Sequence, residues 1–317
     1  MGCSKYFIDA SSSNSSSRKD SKILQIEAAV RSNNLNESQV LECLKQAIEC
    51  FGGSKQTTSL AVALVRYLLD RLQNILDWDS TLFICTKMLH YLDVPDEEVR
   101  HYITFVLHSL YSNNPQHRSA LRLKLGSSLT NSSGYVIASV LNTLYSIIQG
   151  FIVPLKPTHV TYCRTFLIPL LHSPNLPIFF PNLQRCLAHF AMCTDDLSFE
   201  IFSTLLQRCQ DGQLSPLKND MFEFAVGLLP CITETEYLST QILLYQLMAH
   251  LLNQPNGSCT ELALKPFEDP VTCSRIVANI AVAKRFLIPV LCASLFGRDE
   301  EITDKCSRVL QLLAQNL

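Results

Sequence analysis

Residues 57–76 read TTSLAVALVRYLLDRLQNIL, and the spacing of their apolar side chains decides the fold. Leu60, Leu64, Leu68 and Leu72 recur every four residues, which places them on one side of an α-helix. A second stripe, Leu238, Ile242, Leu243 and Leu247, reads the same way. From Ser21 onward the pattern is helix, short break, helix, with no strand signal. Helices are expected near 21–31, 37–51, 57–76, 79–92, 95–112, 116–130, 134–149 and 157–171, then near 181–193, 197–210, 216–229, 234–253, 273–283, 285–296 and 299–315. Helices of this length, joined by short turns and repeating in pairs of about 40 residues, predict an all-α chain, an α-solenoid of HEAT-like helical repeats. No crisp repeat consensus is visible, so periodicity alone also allows a globular bundle.

The breaks carry their own chemistry. Pro95 followed by Asp96, Glu97 and Glu98 reads as a helix start, since proline suits the first turn and acids suit the positive end of the dipole. Ser215-Pro216 reads likewise, and Thr233-x-x-Glu236 is a capping box. NQPNGS, residues 253–258, reads as a loop turned by Pro255, Asn256 and Gly257. Residues 1–20 read as a disordered Ser-rich tail, and 21–317 as the helical domain.

Composition narrows the function. Hydrophobic residues make up 47% and charged residues 17%, as in a folded chain, and only ten glycines interrupt it. A net charge of −2, with no basic run beyond Arg18-Lys19, argues against a nucleic-acid partner. The thirteen cysteines form no CxxC pair; Cys43 with Cys50, and Cys186 with Cys193, are seven apart on single helix faces. They read as buried small hydrophobes in a reducing compartment, not as zinc ligands. The span from Leu125 to Leu155 has no formal charge, but Asn131, Asn142, Gln149, Gly134, Gly150 and Pro154 interrupt it, so it reads as a buried helix and not a membrane span. Gly2 and Cys3 suggest an acylated start, yet Tyr6 stands where that signal has Ser or Thr.

No phosphate-cradling loop, HExxH or nucleophile elbow is present, and His108 with Arg118 has no nucleophile at useful spacing. The expectation is a binding protein without catalytic residues, cofactor or metal. The informative span is 101–156. One end, HSLY at 108–111 with Arg118 seven residues on, can grip a carboxylate. The other, YSIIQGFIVPLK at 145–156, is an uncharged helix closing on Gly150 and Pro154 before Lys156. Together they suggest a peptide-docking groove between neighbouring helix pairs.

DEEVRHYITFVLHSLY, YSIIQGFIVPLK with His159, FLIPLLHSPNLPIFFPNL, SPLKNDMF and AKRFLIPVLCASLF, in this order, resemble the B-prime regulatory subunits of protein phosphatase 2A over about 94–314. The resemblance implies HEAT-like repeats, scaffold and catalytic phosphatase subunits as partners, and a cytoplasmic or nuclear location. It also implies docking of short peptides with a Leu-x-x-Ile-x-Glu pattern. On that reading His108, Tyr111 and Arg118 hold the acidic end, Thr143 and Ile147 belong to the apolar pocket, and Lys156 and His159 form its polar rim. Arg118 can fork onto a carboxylate while Tyr111 and His108 add hydrogen bonds. Ser109 replaces a family arginine, a loss of about 1.5–3 kcal/mol of charge-assisted bonding. Thr143 stands in place of an isoleucine and Asn142 in place of a glutamate. Residues before about 94 match poorly, which leaves a free-standing helical adaptor as the alternative to a phosphatase subunit.

Overall fold

The computed structural model describes residues 9–32, 34–94, 96–130, 132–151, 154–210, 217–253, 257–277, 280–295 and 300–315. Gly2, Cys3, Pro95, Asn131, Ser215-Pro216, Pro255 and Asn256, each given a role above, lie outside them. The described residues are helical, with no strand among them, so the chain is all-α. It divides into two compact units, Met1–Phe151 and Ile152–Leu317.

The first unit holds α1 (Asp9–Arg31), α2 (Glu37–Glu49), α3 (Lys55–Arg71), α4 (Trp78–Tyr91), α5 (Glu97–Asn113), α6 (Arg118–Ser128) and α7 (Gly134–Ile148). The helices pack on near neighbours in the chain: α1 on α2 and α3, α2 on α3 and α4, α3 on α5, α4 on α5 and α6, α5 on α6 and α7, and α6 on α7. That pattern is a stack of helical hairpins, with α3, α5 and α7 in one layer and α2, α4 and α6 in the other. Leu44, Leu68, Leu110 and Leu144 are fully buried between the layers. Of the stripe that opened the argument, Leu64, Leu68 and Leu72 are buried and Leu60 is half-buried.

Caps set where these helices start. Asn36 and Gln39 form a capping box for α2, Asp77 accepts from the Ser80 amide at 2.8 Å, and Asp96 accepts from Glu98 and Val99. Ser54 caps α3 and also donates to Asp20 at 3.0 Å, tying the end of the expected tail to the α2–α3 hairpin. The first helix begins at Asp9, twelve residues before the start expected at 21, and takes in the Ser-rich run. The uncharged span 125–155 is cut into the end of α6, the 15-residue α7 and the loop after it. No helix among the described residues is long and apolar enough to cross a membrane.

The second unit begins with α8 (Pro157–Tyr162), a π-helical turn at Cys163–Leu167 and a 3-10 turn at Ile168–His172. One helix was expected over 157–171. Pro169 lacks the N–H that would continue the ladder, and the Ile168 amide reaches back five residues to the Cys163 carbonyl. The same Phe-Leu-Ile-Pro sequence recurs at 286–289, and the leucines have matching backbones: φ −98°, ψ −50° at Leu167 and φ −96°, ψ −49° at Leu287. Sequence periodicity did not reveal this repeat; the shared bend does.

Then come α9 (Leu176–Ala191), α10 (Asp195–Gln210), α11 (Lys218–Leu228), α12 (Glu234–Leu252), α13 (Gly257–Leu264), α14 (Pro270–Val277), α15 (Ile280–Phe286), α16 (Ile288–Ser294) and α17 (Glu300–Ala314). Three expectations are corrected. The helix expected from 181 starts at Leu176: Pro177 suits its first turn, and Pro181 is carried inside the helix instead of opening it. Gly257, expected in a loop, opens α13, a helix the turn-forming residues before it concealed. The stripe Leu238, Ile242, Leu243, Leu247 only grazes the buried face of α12: Leu247 is buried and Leu243 half-buried, but Leu238 and Ile242 are each 48% exposed. Tyr237, Leu244, Tyr245 and Met248 are buried instead, around a buried Gln241. Part of that face's polar character is satisfied inside: Gln241 Nε2 donates to the Tyr245 hydroxyl at 2.7 Å, and Tyr245 donates to the Ile276 carbonyl. A periodicity count that scores tyrosine and glutamine as polar picks the wrong side of such a helix.

Candidate functional site

Within the first unit, α5 must reverse into α6 across residues 114–117. Asn114, 1% exposed, donates from Nδ2 to the Leu110 carbonyl at 2.8 Å and closes α5. Pro115–His117 form a 3-10 turn. His117 is fixed by a 2.9 Å hydrogen bond between Nε2 and the Leu76 carbonyl, with its ring 5.6 Å from that of Trp78. The other side of the junction is held from the turn after α3, where Asn74, with φ 63°, donates its amide to Asn113 O at 3.1 Å. Asn113 in turn donates to Asp70 at 3.1 Å.

This junction delivers Arg118, the first residue of α6, beneath the end of α5. Its Nε donates to Tyr111 O at 3.2 Å and its Nη2 to Ser112 O at 2.9 Å. Those carbonyls are the negative end of the helix dipole, so the cation stabilises the helix it caps. The guanidinium also sits over the Tyr111 ring, 5.5 Å from its centroid. These bonds use Nε and Nη2, leaving the Nη1 edge of the fork for a ligand.

His108, half-buried, precedes Tyr111 by three residues and shares its face of α5. Burial raises the Tyr111 phenol above its ordinary pKa, an effect partly offset by the charges of Arg122 and Arg118. The hydroxyl therefore keeps its proton at neutral pH and can donate to an anion.

Arg122 was missed in the sequence. It follows Arg118 by four residues, so it shares that face of α6, and it is 9% exposed with its guanidinium 5.4 Å from the Phe151 ring centroid. The Arg-x-x-x-Arg spacing at the start of α6 was the available signal. Two guanidiniums and a neutral phenol make a site suited to a carboxylate or phosphate.

The other expected residues stand elsewhere. Thr143, on α7, is fully buried, and its hydroxyl donates to the Ser139 carbonyl at 3.3 Å. Ile147 is 4% exposed. Both lie in the core, and the exposed α7 side chains are Tyr135, Asn142 and Ser146. Lys156 and His159 lie in the second unit: Lys156 is exposed at the N-cap of α8, and its carbonyl accepts from the His159 amide at 2.8 Å. Among the described residues no group of His, Cys, Asp and Glu side chains is disposed to hold a metal ion.

Comparison with known proteins gives the site its context. The sequence model described as "Protein phosphatase 2A regulatory B subunit (B56 family)" matches residues 77–314. That match starts at the N-cap of α4, earlier than the 94 read from sequence blocks. The chain is 24% identical over 216 residues to the 56 kDa regulatory subunit delta 1 isoform of serine/threonine-protein phosphatase 2A from Schizosaccharomyces pombe, covering 66% of this chain and 38% of that protein. It is 24% identical over 211 residues to the human 56 kDa regulatory subunit delta isoform, covering 64% and 35%. To the 56 kDa regulatory subunit delta isoform of Saccharomyces cerevisiae it is also 24% identical over 211 residues, covering 65% and 28%. The chain thus spans a little over a third of the length of the first of these relatives. Among solved structures, a chain from work on a phosphorylation switch between cadherin and β-catenin aligns with 93% of this chain and 57% of its own at TM-score 0.43 and 14% identity.

Proposed function

The chain belongs to the B56 family of protein phosphatase 2A regulatory subunits, and from that premise we propose that it binds the scaffold and catalytic subunits of the phosphatase and recruits substrates to them. It performs no chemistry itself. It selects substrates by gripping an acidic residue of a short linear motif at the α5–α6 junction. The observation that carries this reading is the placement of Arg118: capping α5, stacked on Tyr111, with one edge of its fork turned outward. Tyr111 supplies a second donor, His108 lies one turn away, and the charge of Arg122 adds to the attraction.

Selectivity differs from that implied for the wider family. Thr143 and Ile147 are closed in the core, so the grip on the acidic residue dominates and an apolar anchor adds little on α7. The test is affinity capture of the tagged chain from cells, with a phosphatase assay and identification of what is captured. Recovery of active catalytic subunit with its scaffold supports the proposal. Recovery of other proteins without phosphatase overturns it and leaves a free-standing adaptor.

A further inference from the structure

The exposed side of α3 and α5 carries a strip that continues from the docking trio. Phe105, 42% exposed, lies three residues before His108 on the same face of α5. The guanidinium of Arg66, on α3, lies over its ring at 4.6 Å from the centroid. Arg66 is exposed and forms no ion pair with any described residue. Its neighbour Tyr67, 45% exposed, lines a groove of about 430 Å³ between α1 and α3 together with Val30, Leu60 and Leu64 and the ion-paired Glu27 and Arg31.

A phenylalanine held at the surface beneath an unneutralised arginine, beside an apolar groove, fits a ligand that brings both an anion and a bulky apolar group. We propose that this strip binds the segment leading into the docked acidic motif, through a carboxylate on Arg66 and an apolar side chain in the α1–α3 groove. The inference rests on the docking reading of Tyr111 and Arg118. If the motif's last residue, its glutamate, sits at Tyr111 and Arg118, the residues before it are those that can run back along α5. Phe105 is six residues before Tyr111, roughly 9 Å along the helix axis. Packed helices are about 8–10 Å apart. At about 3.3 Å per extended residue, the residues six to eight places before that glutamate, just beyond the leucine that opens the core, reach Arg66 and the groove. α1 and α3 precede residue 77, so Arg66 and the groove lie outside the stretch shared with the family, while Phe105 lies within it.

The test is fluorescence anisotropy on the full chain with two labelled peptides. One carries a Leu-x-x-Ile-x-Glu core; the other adds eight residues on its amino side containing one Glu and one Phe. The expected result is about tenfold tighter binding of the longer peptide. Arg66→Glu should remove that gain and leave the core peptide unaffected, and a Lys in place of the extension's Glu should restore the gain on this variant. Equal affinity of the two peptides, or a gain untouched by Arg66→Glu and Phe105→Ser, overturns the inference while core binding that is lost on Arg118→Ala keeps the docking reading. No binding of either peptide overturns both.

Discussion

Arg118 does two jobs, and substitution separates them. It caps α5 through two backbone carbonyls and offers its remaining edge to a ligand. Arg118→Ala should cost about 0.5–1.5 kcal/mol of stability, read as a lower midpoint in urea, and weaken acidic-motif peptide binding by more than about tenfold. Arg118→Lys should recover much of the stability, since it keeps the charge near the dipole, but little of the affinity, since it loses the planar fork. Equal recovery of both would mean that Arg118 acts as charge alone. The cysteines give a second expectation at this scale. Burial pushes the thiols of Cys85, Cys186 and Cys209 up to about 12. In the unfolded chain such thiols ionise near 8.5. Between those values the folded state holds protons that the unfolded state releases, so stability is full below about pH 8.5 and falls as pH rises towards 12. Thermal melts from pH 8 to 11 should show that decline. Native alkylation at pH 8 should label exposed Cys292 before any of the three.

At the scale of the element, α12 is the sharpest case. Its buried side is built from Tyr237, Gln241, Leu244, Tyr245, Leu247 and Met248, with Gln241 Nε2 and the Tyr245 hydroxyl bonded inside. Leu238→Ser should therefore change the melting temperature little. Leu244→Ala should cost about 2–5 kcal/mol, and Tyr245→Phe about 1–3 kcal/mol because Gln241 and the Ile276 carbonyl each lose a partner. A larger loss at Leu238 than at Leu244 would reverse the assignment of the buried face. Much of the helical order was legible in sequence: the helix start at Asp96, the capping box of Thr233 and Glu236 and the stripe through Leu64, Leu68 and Leu72 all act locally, and local signals can be read from neighbours in the chain. What escaped notice depends on distant partners or on backbone bends. The polar core of α12 needs the Ile276 carbonyl 31 residues away. The paired breaks at Leu167 and Leu287 are recognised from shared dihedrals, and α13 follows a stretch rich in turn formers.

For the molecule as a whole, the site was partly legible for the same reason. His108 and Tyr111 share a helix face and Arg118 follows across a short turn, so sequence spacing alone brought them together. Whether Thr143 and Ile147 face a groove or the core is decided by packing of α5 on α7, which no local pattern encodes, and the core won. The central claim is that the chain bridges a phosphatase core to an acidic-motif ligand. The most direct measurement uses beads coated with a Leu-x-x-Ile-x-Glu peptide, purified scaffold–catalytic phosphatase 2A core and this chain, with bead-bound phosphatase activity as the readout. The account predicts activity on the beads only when the chain is present. It further predicts loss of that activity with Arg118→Ala, while the variant still co-elutes with the core in gel filtration. Activity retained equally without the chain, or a chain that binds the peptide and never the phosphatase core, would contradict it.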